Sequence, residues 1–442
     1  MPAFSIAFAA SETAMTTEID PAAAPPGPAD PWLKKLGPGL VTGAADDDPS
    51  GIATYSQAGA EFGYNILWTV LLTYPLMVAI QMISARIGRA SGHGLATNLR
   101  RHYPVSLLYG AVILLLVANT INIAADLTAM GAAVTLIIGG PARVYPVALA
   151  AVSLVLQVFV PYKRYVRVLK WLTLALLAYV GVVFAVRIPW ATVAVRTAVP
   201  HITWTGNYAT TVVAVFGTTI SPYLFFWQAG LEVEEQERRA SAKPLREAPG
   251  QARRELMRIR WDTVVGMGLS TVIGLCIMIT TDGALHNHGV TDIRSATQAA
   301  EALRPVAGKL AFFLFAAGMI GTGLLALPSL AGSVAYAVGE ALYWPVGLNM
   351  KANRAKGFYA VMAGATATGC ALNFTGIEPM DALVWSAVLN GGAAAPIMAL
   401  LVHMASDRKV MGKLPISRRL AWLGWGGTAL MAVTTLVMFV TL

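Results

Sequence analysis

Charged residues are scarce in this sequence. They make up 12% of its 442 residues, whereas a soluble domain carries roughly 25%. Hydrophobic residues make up 56%, and apolar stretches long enough to cross a bilayer recur along the whole chain. The shortage of charge excludes a string of soluble globular domains and predicts one polytopic membrane domain over residues 32–442.

Cysteines and catalytic motifs are also lacking. The two cysteines, Cys276 and Cys370, lie in apolar stretches, so they provide neither a disulfide framework nor the spacing of a metal site. The sequence contains no G-x-x-x-x-G-K-[ST] phosphate loop, no nucleophile elbow and no H-E-x-x-H motif. We therefore predict that the protein is not an enzyme and has no cofactor.

The first 31 residues contain no lysine or arginine. A brief apolar segment at residues 4–10 therefore has no basic flank, which argues against a cleaved signal peptide. We predict that residues 1–31 form a disordered cytoplasmic tail.

Lysine and arginine are unevenly distributed over the rest of the chain. If the N-terminus is cytoplasmic, 26 of the 32 Lys and Arg residues lie on cytoplasmic segments, as the positive-inside rule requires. This asymmetry explains the net charge of +9 without a nucleic-acid partner. The eleven predicted spans are residues 38–62, 64–86, 105–131, 144–160, 168–187, 207–230, 261–280, 308–338, 357–375, 380–403 and 420–441.

These features predict a multi-pass protein of the inner (plasma) membrane, with lipid around it and an oligomeric state that the sequence leaves open. The longest cytoplasmic loop, residues 231–260, mixes acidic and basic residues. We predict a solvated amphipathic connector there, with a regulatory surface as the alternative.

The run Asp46-Asp47-Asp48-Pro49-Ser50-Gly51 lies near the centre of the first predicted span. A single charge at the bilayer midplane costs at least ~2.5–3.5 kcal/mol. Pro49 also removes a backbone donor and disfavours helical geometry at Asp48. These features favour a helix that is broken at the midplane, with carbonyls and carboxylates around a cation. The alternative is a water-exposed segment over residues 38–45 that ends in an acidic helix cap.

A second interruption occurs in the sixth predicted span. The segment Phe216-Gly217-Thr218-Thr219-Ile220-Ser221-Pro222-Tyr223 places a proline and four hydroxyl-bearing residues inside an apolar helix. Spans one and six are five apart and cross in opposite directions, which is typical of an inverted-repeat transporter. We predict an all-α membrane protein with two five-helix repeats, at about 36–187 and 205–403, broken first and sixth helices, and an extra helix at 420–441.

Several ordered motifs resemble the NRAMP (natural-resistance-associated macrophage protein) family of divalent-metal transporters. Leu36-Gly37-Pro38-Gly39-Leu40 is similar to the family's lead-in to the first span, and Asp48-Pro49-Ser50-Gly51 lies on its D-P-G-N motif. Gly217-Thr218-Thr219-Ile220-Ser221-Pro222-Tyr223 lies on its G-A-T-I-M-P-H motif, and Ser406-Asp407-Arg408-Lys409-Val410-Met411-Gly412 resembles its S-D-R-x-V-M-G segment. The likeness covers nearly the whole membrane region and implies the leucine-transporter fold.

The resemblance implies that Asp48 is a direct ion ligand. Gly51 stands where the family has a ligand Asn, and Ser221 stands where it has a ligand Met. Thioethers select soft or borderline metals, whereas oxygen ligands suit Mg²⁺, Ca²⁺ and Mn²⁺, and Mg²⁺ commonly keeps several waters. The pattern is similar to the NRAMP-related magnesium transporters. The alternative is that Gly51 and Ser221 only change the local packing, with a transition metal bound through carbonyls. The predicted metal-binding residues are Asp48, Ser221, Thr218, Tyr223 and Asp47, next to the helix-break residues Pro49, Ser50, Gly51 and Pro222.

The family's usual proton relay is largely missing. Tyr223 and Gln228 replace two family histidines, and Ala129 replaces a glutamate of the third span. Asp126 matches a family acid and is a possible relay. The three replacements do not accept protons near pH 7, so we predict weak or absent proton coupling. The residues predicted to line the cavity are Gln57, Gln228 and Asn390.

We therefore predict a transporter of hard divalent cations, Mg²⁺ or Mn²⁺, that works by alternating access. A proton-coupled Mn²⁺/Fe²⁺ transporter of the same family is the first alternative. A cation-coupled symporter of a small organic solute is the second, although a negative site disfavours a substrate carboxylate. A non-transporting receptor or scaffold is the third, and it would need no charge at the midplane.

Overall fold

The computed structural model describes residues 38–160, 174–185, 187–239, 241–293, 295–376 and 378–441, and the predicted N-terminal tail lies outside these ranges. The regular elements within them are helices. The α-helices are α1 Pro38–Asp46, α2 Pro49–Phe62, α3 Trp68–Ser91, α4 Leu95–His102, α5 Val105–Ile138, α6 Val144–Phe159, α7 Leu177–Ala185, α8 Trp190–Ala198, α9 Gly206–Thr219, α10 Pro222–Glu237, α11 Ala252–Ala284, α12 Ala296–Glu301, α13 Arg304–Ala307, α14 Ala311–Ala341, α15 Lys356–Leu372, α16 Pro379–Ser406, α17 Arg408–Met411 and α18 Arg418–Thr441.

Seven helical segments in the described residues are long and apolar enough to span a membrane. Each overlaps a predicted span, and the sixth predicted span is the segment formed by α9 and α10. The shorter helices α6 and α15 lie at two further predicted spans. The predicted all-α membrane architecture is confirmed, while the count of eleven spans stays a prediction.

Both predicted helix breaks are present. Asp48 separates α1 from α2 in an extended conformation, with φ −74° and ψ 170°. Ser221 separates α9 from α10 in a similar way, with φ −84° and ψ 129°. Pro49 and Pro222 then start the second half-helices. Proline suits this first position because its missing N–H would have no partner in the helix.

The broken helices pack against long unbroken ones. α1 and α2 both lie on α11, α9 lies on α16, and α10 lies on α3 and α14. α9 and α16 approach closely at Gly217, where a methyl group would overlap the backbone of Ala387 and Gly391. The absence of a side chain at Gly217 thus lets the end of α9 rest directly on α16.

A buried ionic cluster joins α3, α10 and α11. Arg258 pairs with Glu232, Glu255 and Asp262, and Arg89 lies 3.6 Å from Glu255. The side chain of Glu232 is 0% exposed and that of Arg258 is 12% exposed. Asp262 also accepts a hydrogen bond from the backbone N–H of Gly39 at 2.7 Å. The cluster therefore ties the start of α1 to three other helices.

The predicted solvated connector at residues 231–260 is wrong for three of its acidic residues, whereas Glu237 and Glu247 are exposed as predicted. α10 continues to Glu237 and α11 begins at Ala252, so the connecting segment is short. Glu232, Glu234 and Glu255 consequently lie on helices and are buried. The basic residues of this segment that are exposed, as predicted, are Arg238, Arg239, Lys243, Arg246, Arg253, Arg254 and Arg260.

Candidate functional site

Asp48 lies in the break between α1 and α2 and caps the start of α2. Its Oδ1 accepts a hydrogen bond from the Gly51 backbone N–H at 2.7 Å, which satisfies a donor that has no partner inside the helix. Its Oδ2 accepts from the Asn122 amide at 3.1 Å and lies 3.5 Å from the Tyr223 hydroxyl. The break thus presents a carboxylate where α2, α5 and α10 meet.

Tyr223 and Tyr55 join the two broken helices. The Tyr223 hydroxyl, at the start of α10, donates to the Ala45 carbonyl at 2.9 Å. The last carbonyls of a helix lack partners within it, so this contact satisfies one at the end of α1. The Tyr55 hydroxyl on α2 lies 2.9 Å from Thr219 Oγ1 at the end of α9. The two breaks therefore form one site, which brings the predicted ligands Asp48 and Tyr223 together.

Asp126 and Asn390 reach this site through Asn122. The Asn122 amide nitrogen lies 3.5 Å from Asp126 Oδ2, and it also donates to Asp48. The Asn122 carbonyl oxygen accepts from the Asn390 amide at 3.3 Å. Asp126 and Asn122 are fully buried, and Asn390 is 2% exposed. α5 and α16 thus extend the polar lining away from the break.

Asp46 and Asp47 share a single donor from α11. The Ser270 hydroxyl lies 2.5 Å from Asp46 Oδ2 and 2.9 Å from Asp47 Oδ1. A hydroxyl has one hydrogen, so it cannot donate to both carboxylates at once. Asp46 Oδ1 has no hydrogen-bond partner among the described residues. This pair therefore has more acceptor oxygens than donors.

Ser221 and Thr218 offer further oxygens on the α9 side of the site. The Ser221 hydroxyl donates to the Gly217 carbonyl at 2.7 Å or the Thr218 carbonyl at 2.9 Å, which leaves its own lone pairs free to accept. Thr218 Oγ1 lies 3.1 Å from the position that a Cβ at Gly51 would occupy. The space next to Gly51 is therefore lined by a hydroxyl.

The other predicted residues make contacts away from Asp48. The Ser50 hydroxyl donates to Leu383 O on α16 at 3.0 Å. Gln57 Oε1 accepts from the Ile293 backbone N–H at 2.9 Å, in the segment that follows α11. Gln228 Nε2 donates to Thr263 Oγ1 at 3.2 Å. Gln57 and Gln228 thus lie farther along α2 and α10 and bond to other parts of the chain.

Four carboxylates, those of Asp46, Asp47, Asp48 and Asp126, are concentrated in this region. Each residue is at most 5% exposed. Among the described residues, none of them forms an ion pair with Lys, Arg or His. No three Asp, Glu, His or Cys side chains in that part of the chain converge closely enough to hold a metal ion. Hydroxyls, carbonyls or water would have to complete an ion's coordination.

Sequence reasoning missed Asn122 and Ser270. Asn122 precedes Asp126 by four residues, and positions i and i+4 share one helix face, so this signal was readable. Ser270 had no comparable signal, because it is one of five hydroxyl residues on α11. Its role depends on α11 lying against α1.

Known proteins resemble the chain over nearly its full length. Residues 39–441 match the family described as natural resistance-associated macrophage protein-like (Nramp). The divalent metal cation transporter MntH of Klebsiella pneumoniae is 26% identical over 408 residues, covering 90% of this chain and 92% of the relative. MntH of Granulibacter bethesdensis is 25% identical over 412 residues, covering 91% of this chain and 87% of the relative.

Solved structures agree with the observed fold. The Eremococcus coleocola manganese transporter, crystallised with an aromatic bis-isothiourea compound, has a TM-score of 0.69 at 17% identity, covering 96% of this chain and 90% of that one. Mhp1, a nucleobase-cation-symport-1 family transporter, has a TM-score of 0.62 at 12% identity, covering 92% of this chain and 90% of that one. At these identities the structures support the fold alone. With the family match across both helix breaks, the chain belongs to the Nramp family.

Proposed function

We propose that the protein is a multi-pass plasma-membrane transporter of hard divalent cations, Mg²⁺ or Mn²⁺, with a cytoplasmic N-terminus. The main observation in support is the group of four buried carboxylates that has no basic partner among the described residues. Burying unpaired charge is costly, and each charge at bilayer depth costs several kcal/mol. A divalent cation offsets part of this cost, so the site favours one as its cargo.

The unpartnered atoms around Asp48 support the same cargo. Asp46 Oδ1, Asp126 Oδ1 and Asn390 Oδ1 are buried and lack hydrogen-bond partners in the described part of the chain. All three are acceptors. A bare cation or its bound waters would satisfy them, whereas an anionic solute would not. Mg²⁺ usually keeps several waters, so this excess of acceptors favours a partly hydrated ion.

The relatives' names support a divalent metal, since two are called divalent metal cation transporters and one structure is a manganese transporter. The preference for a hard ion rests on the oxygens of Asp48, Thr218 and Ser221, because oxygen ligands suit Mg²⁺ and Mn²⁺. One observation favours a softer metal instead. Met130 and Pro49 both pack against Gly323, so a thioether lies near the start of α2.

The exchange Ser221→Met tests this preference. A thioether would replace a hydroxyl and fill space that water could occupy. We expect the Mg²⁺ concentration for half-maximal uptake to rise about tenfold and the inhibition constant of Cd²⁺ to fall about tenfold, since one ligand contact contributes roughly 1–2 kcal/mol. The measurement is uptake into liposomes containing the purified protein, with Mg²⁺, Mn²⁺ and Cd²⁺ in competition.

Ser221→Leu is the matched control, because leucine fills similar space without sulfur. It should weaken Mg²⁺ uptake and leave the inhibition constant of Cd²⁺ unchanged. Strong Cd²⁺ competition in the wild type, unaltered by Ser221→Met, would contradict a hard site. The protein would then be a transition-metal carrier.

Metal uptake is expected to proceed with little or no proton movement. Asp126 has the buried amide of Asn122 as its neighbour, and Tyr223 and Gln228 bond to Ala45 and Thr263. None of these neighbours is a base that accepts protons near pH 7. The signal of a pH-sensitive dye inside the liposomes should stay constant during Mg²⁺ or Mn²⁺ uptake. A proton ionophore added afterwards shows that the dye responds. Acidification in proportion to metal entry would refute this prediction.

A further inference from the structure

We propose that Asn390, held by Asn122, determines ion selectivity by accepting a hydrogen bond from a water bound to the transported cation. This inference rests on the proposed function and assigns a specificity-determining residue to the same site. Asn390 is the positioned acceptor, and Asn122 is the positioning residue between it and Asp48.

The two carboxylates next to Asn122 set the orientation of both amides. Asp48 Oδ2 lies 3.1 Å and Asp126 Oδ2 3.5 Å from the Asn122 nitrogen. An ionised carboxylate only accepts, so the Asn122 NH₂ must face it. The Asn122 oxygen therefore faces Asn390, 3.3 Å away, and Asn390 must present its own NH₂ there. The Asn390 oxygen is left to point elsewhere.

That oxygen has no partner in the described part of the chain, although Asn390 is only 2% exposed. A buried acceptor without a donor costs about 1–3 kcal/mol. A water that is itself held nearby would remove this penalty. No side-chain donor of the described residues does so.

Asn390 lies on α16 next to both helix breaks. Ser386, one turn earlier, lies 3.1 Å from Ser50, which is beside Asp48. Gly391 packs against Gly217, one turn before Ser221. Asn390 thus lies on the stretch of α16 that packs beside both breaks.

The amide favours ions that keep their water. A water bound to a cation is polarised and donates a strong hydrogen bond, and an uncharged carbonyl accepts it without adding negative charge. Mg²⁺ loses water reluctantly, so it gains most from this acceptor. A cation that binds Asp48 with fewer waters gains less.

The test is Asn390→Leu, which keeps the approximate volume and removes the acceptor. In reconstituted liposomes we expect the KM for Mg²⁺ to rise about tenfold, with the maximal rate within about twofold, and the KM for Mn²⁺ to change less than about threefold. Asn390→Gln should recover part of the Mg²⁺ affinity. The Mg²⁺ concentration that gives half of the maximal thermal shift of the purified protein should rise about tenfold. This measurement needs no transport.

Asn119→Leu is the matched control. Asn119 is also fully buried, and its Oδ1 has no partner among the described residues, but its amide donates to Leu330 O and Ser333 Oγ on α14. It should leave the ratio of the two KM values unchanged. If Asn390→Leu does not give folded protein, Asn390→Ala replaces it with the same expectation.

The outcomes separate the two proposals. Failure of the wild type to carry Mg²⁺ or Mn²⁺ overturns the proposed function. Normal wild-type uptake with an unchanged Mg²⁺ KM in Asn390→Leu overturns the selectivity role alone. Equal loss for both ions, or a fall in maximal rate without a KM change, indicates a merely structural residue and overturns it as well.

Discussion

Asp48→Ala is expected to reduce divalent-cation uptake into liposomes by about 100-fold or more, which corresponds to roughly 2.7 kcal/mol. Asp48 is the carboxylate that faces Asn122 and Tyr223 at the first break. Its loss removes the proposed direct ligand and also the cap on Gly51. Initial rates of Mg²⁺ and Mn²⁺ uptake at equal protein density are the measurement.

Two kinds of control accompany this variant. Asp48→Asn keeps an oxygen that can cap Gly51, so it should fold like the wild type and still lose uptake. Asp46→Ala and Asp47→Ala should reduce uptake less, because both carboxylates face Ser270 on α11 and act on the ion from farther away. Uptake at the wild-type rate in the Asp48 variants would disprove the ligand assignment.

Arg258→Met is expected to lower the free energy of unfolding by about 3–5 kcal/mol, the usual cost of removing one partner of a buried ion pair. Arg258 is the cation that Glu232, Glu255 and Asp262 share. Methionine keeps the apolar stem but leaves Glu232, which is 0% exposed, without its main counter-charge. The melting temperature of the purified protein in detergent should fall clearly.

Arg304→Met is the matched control. Arg304 pairs with Glu301 at 3.5 Å, but these side chains are 58% and 43% exposed, and such surface pairs contribute about 0–1 kcal/mol. Adding Glu232→Gln to Arg258→Met should recover part of the lost stability, because it removes the uncompensated charge. An Arg258→Met protein as stable as the wild type would show that the cluster does not hold these helices together.

The membrane class and the two breaks were predictable because their signals are local. A proline after three carboxylates, or after a run of hydroxyl residues, conflicts with a continuous apolar helix wherever the chain folds. The structure confirms both breaks, at Asp48 and at Ser221. A local pattern likewise marked α5 as a span, but it could not show that Asn122 bonds to Asp48 and Asn390, which lie 74 and 268 residues away in the chain.

The partners inside the site were decided only by tertiary structure. Ser270 meets Asp46 across 224 residues, and Asn390 meets Asn122 across 268. Burial of Glu232 likewise depends on Arg258, 26 residues later on another helix. A sequence pattern shows which side chains are polar, but packing of α5, α11 and α16 against the breaks determines which polar groups are paired. The acceptors that have no partner among the described residues, on which the proposed cargo rests, follow from that packing.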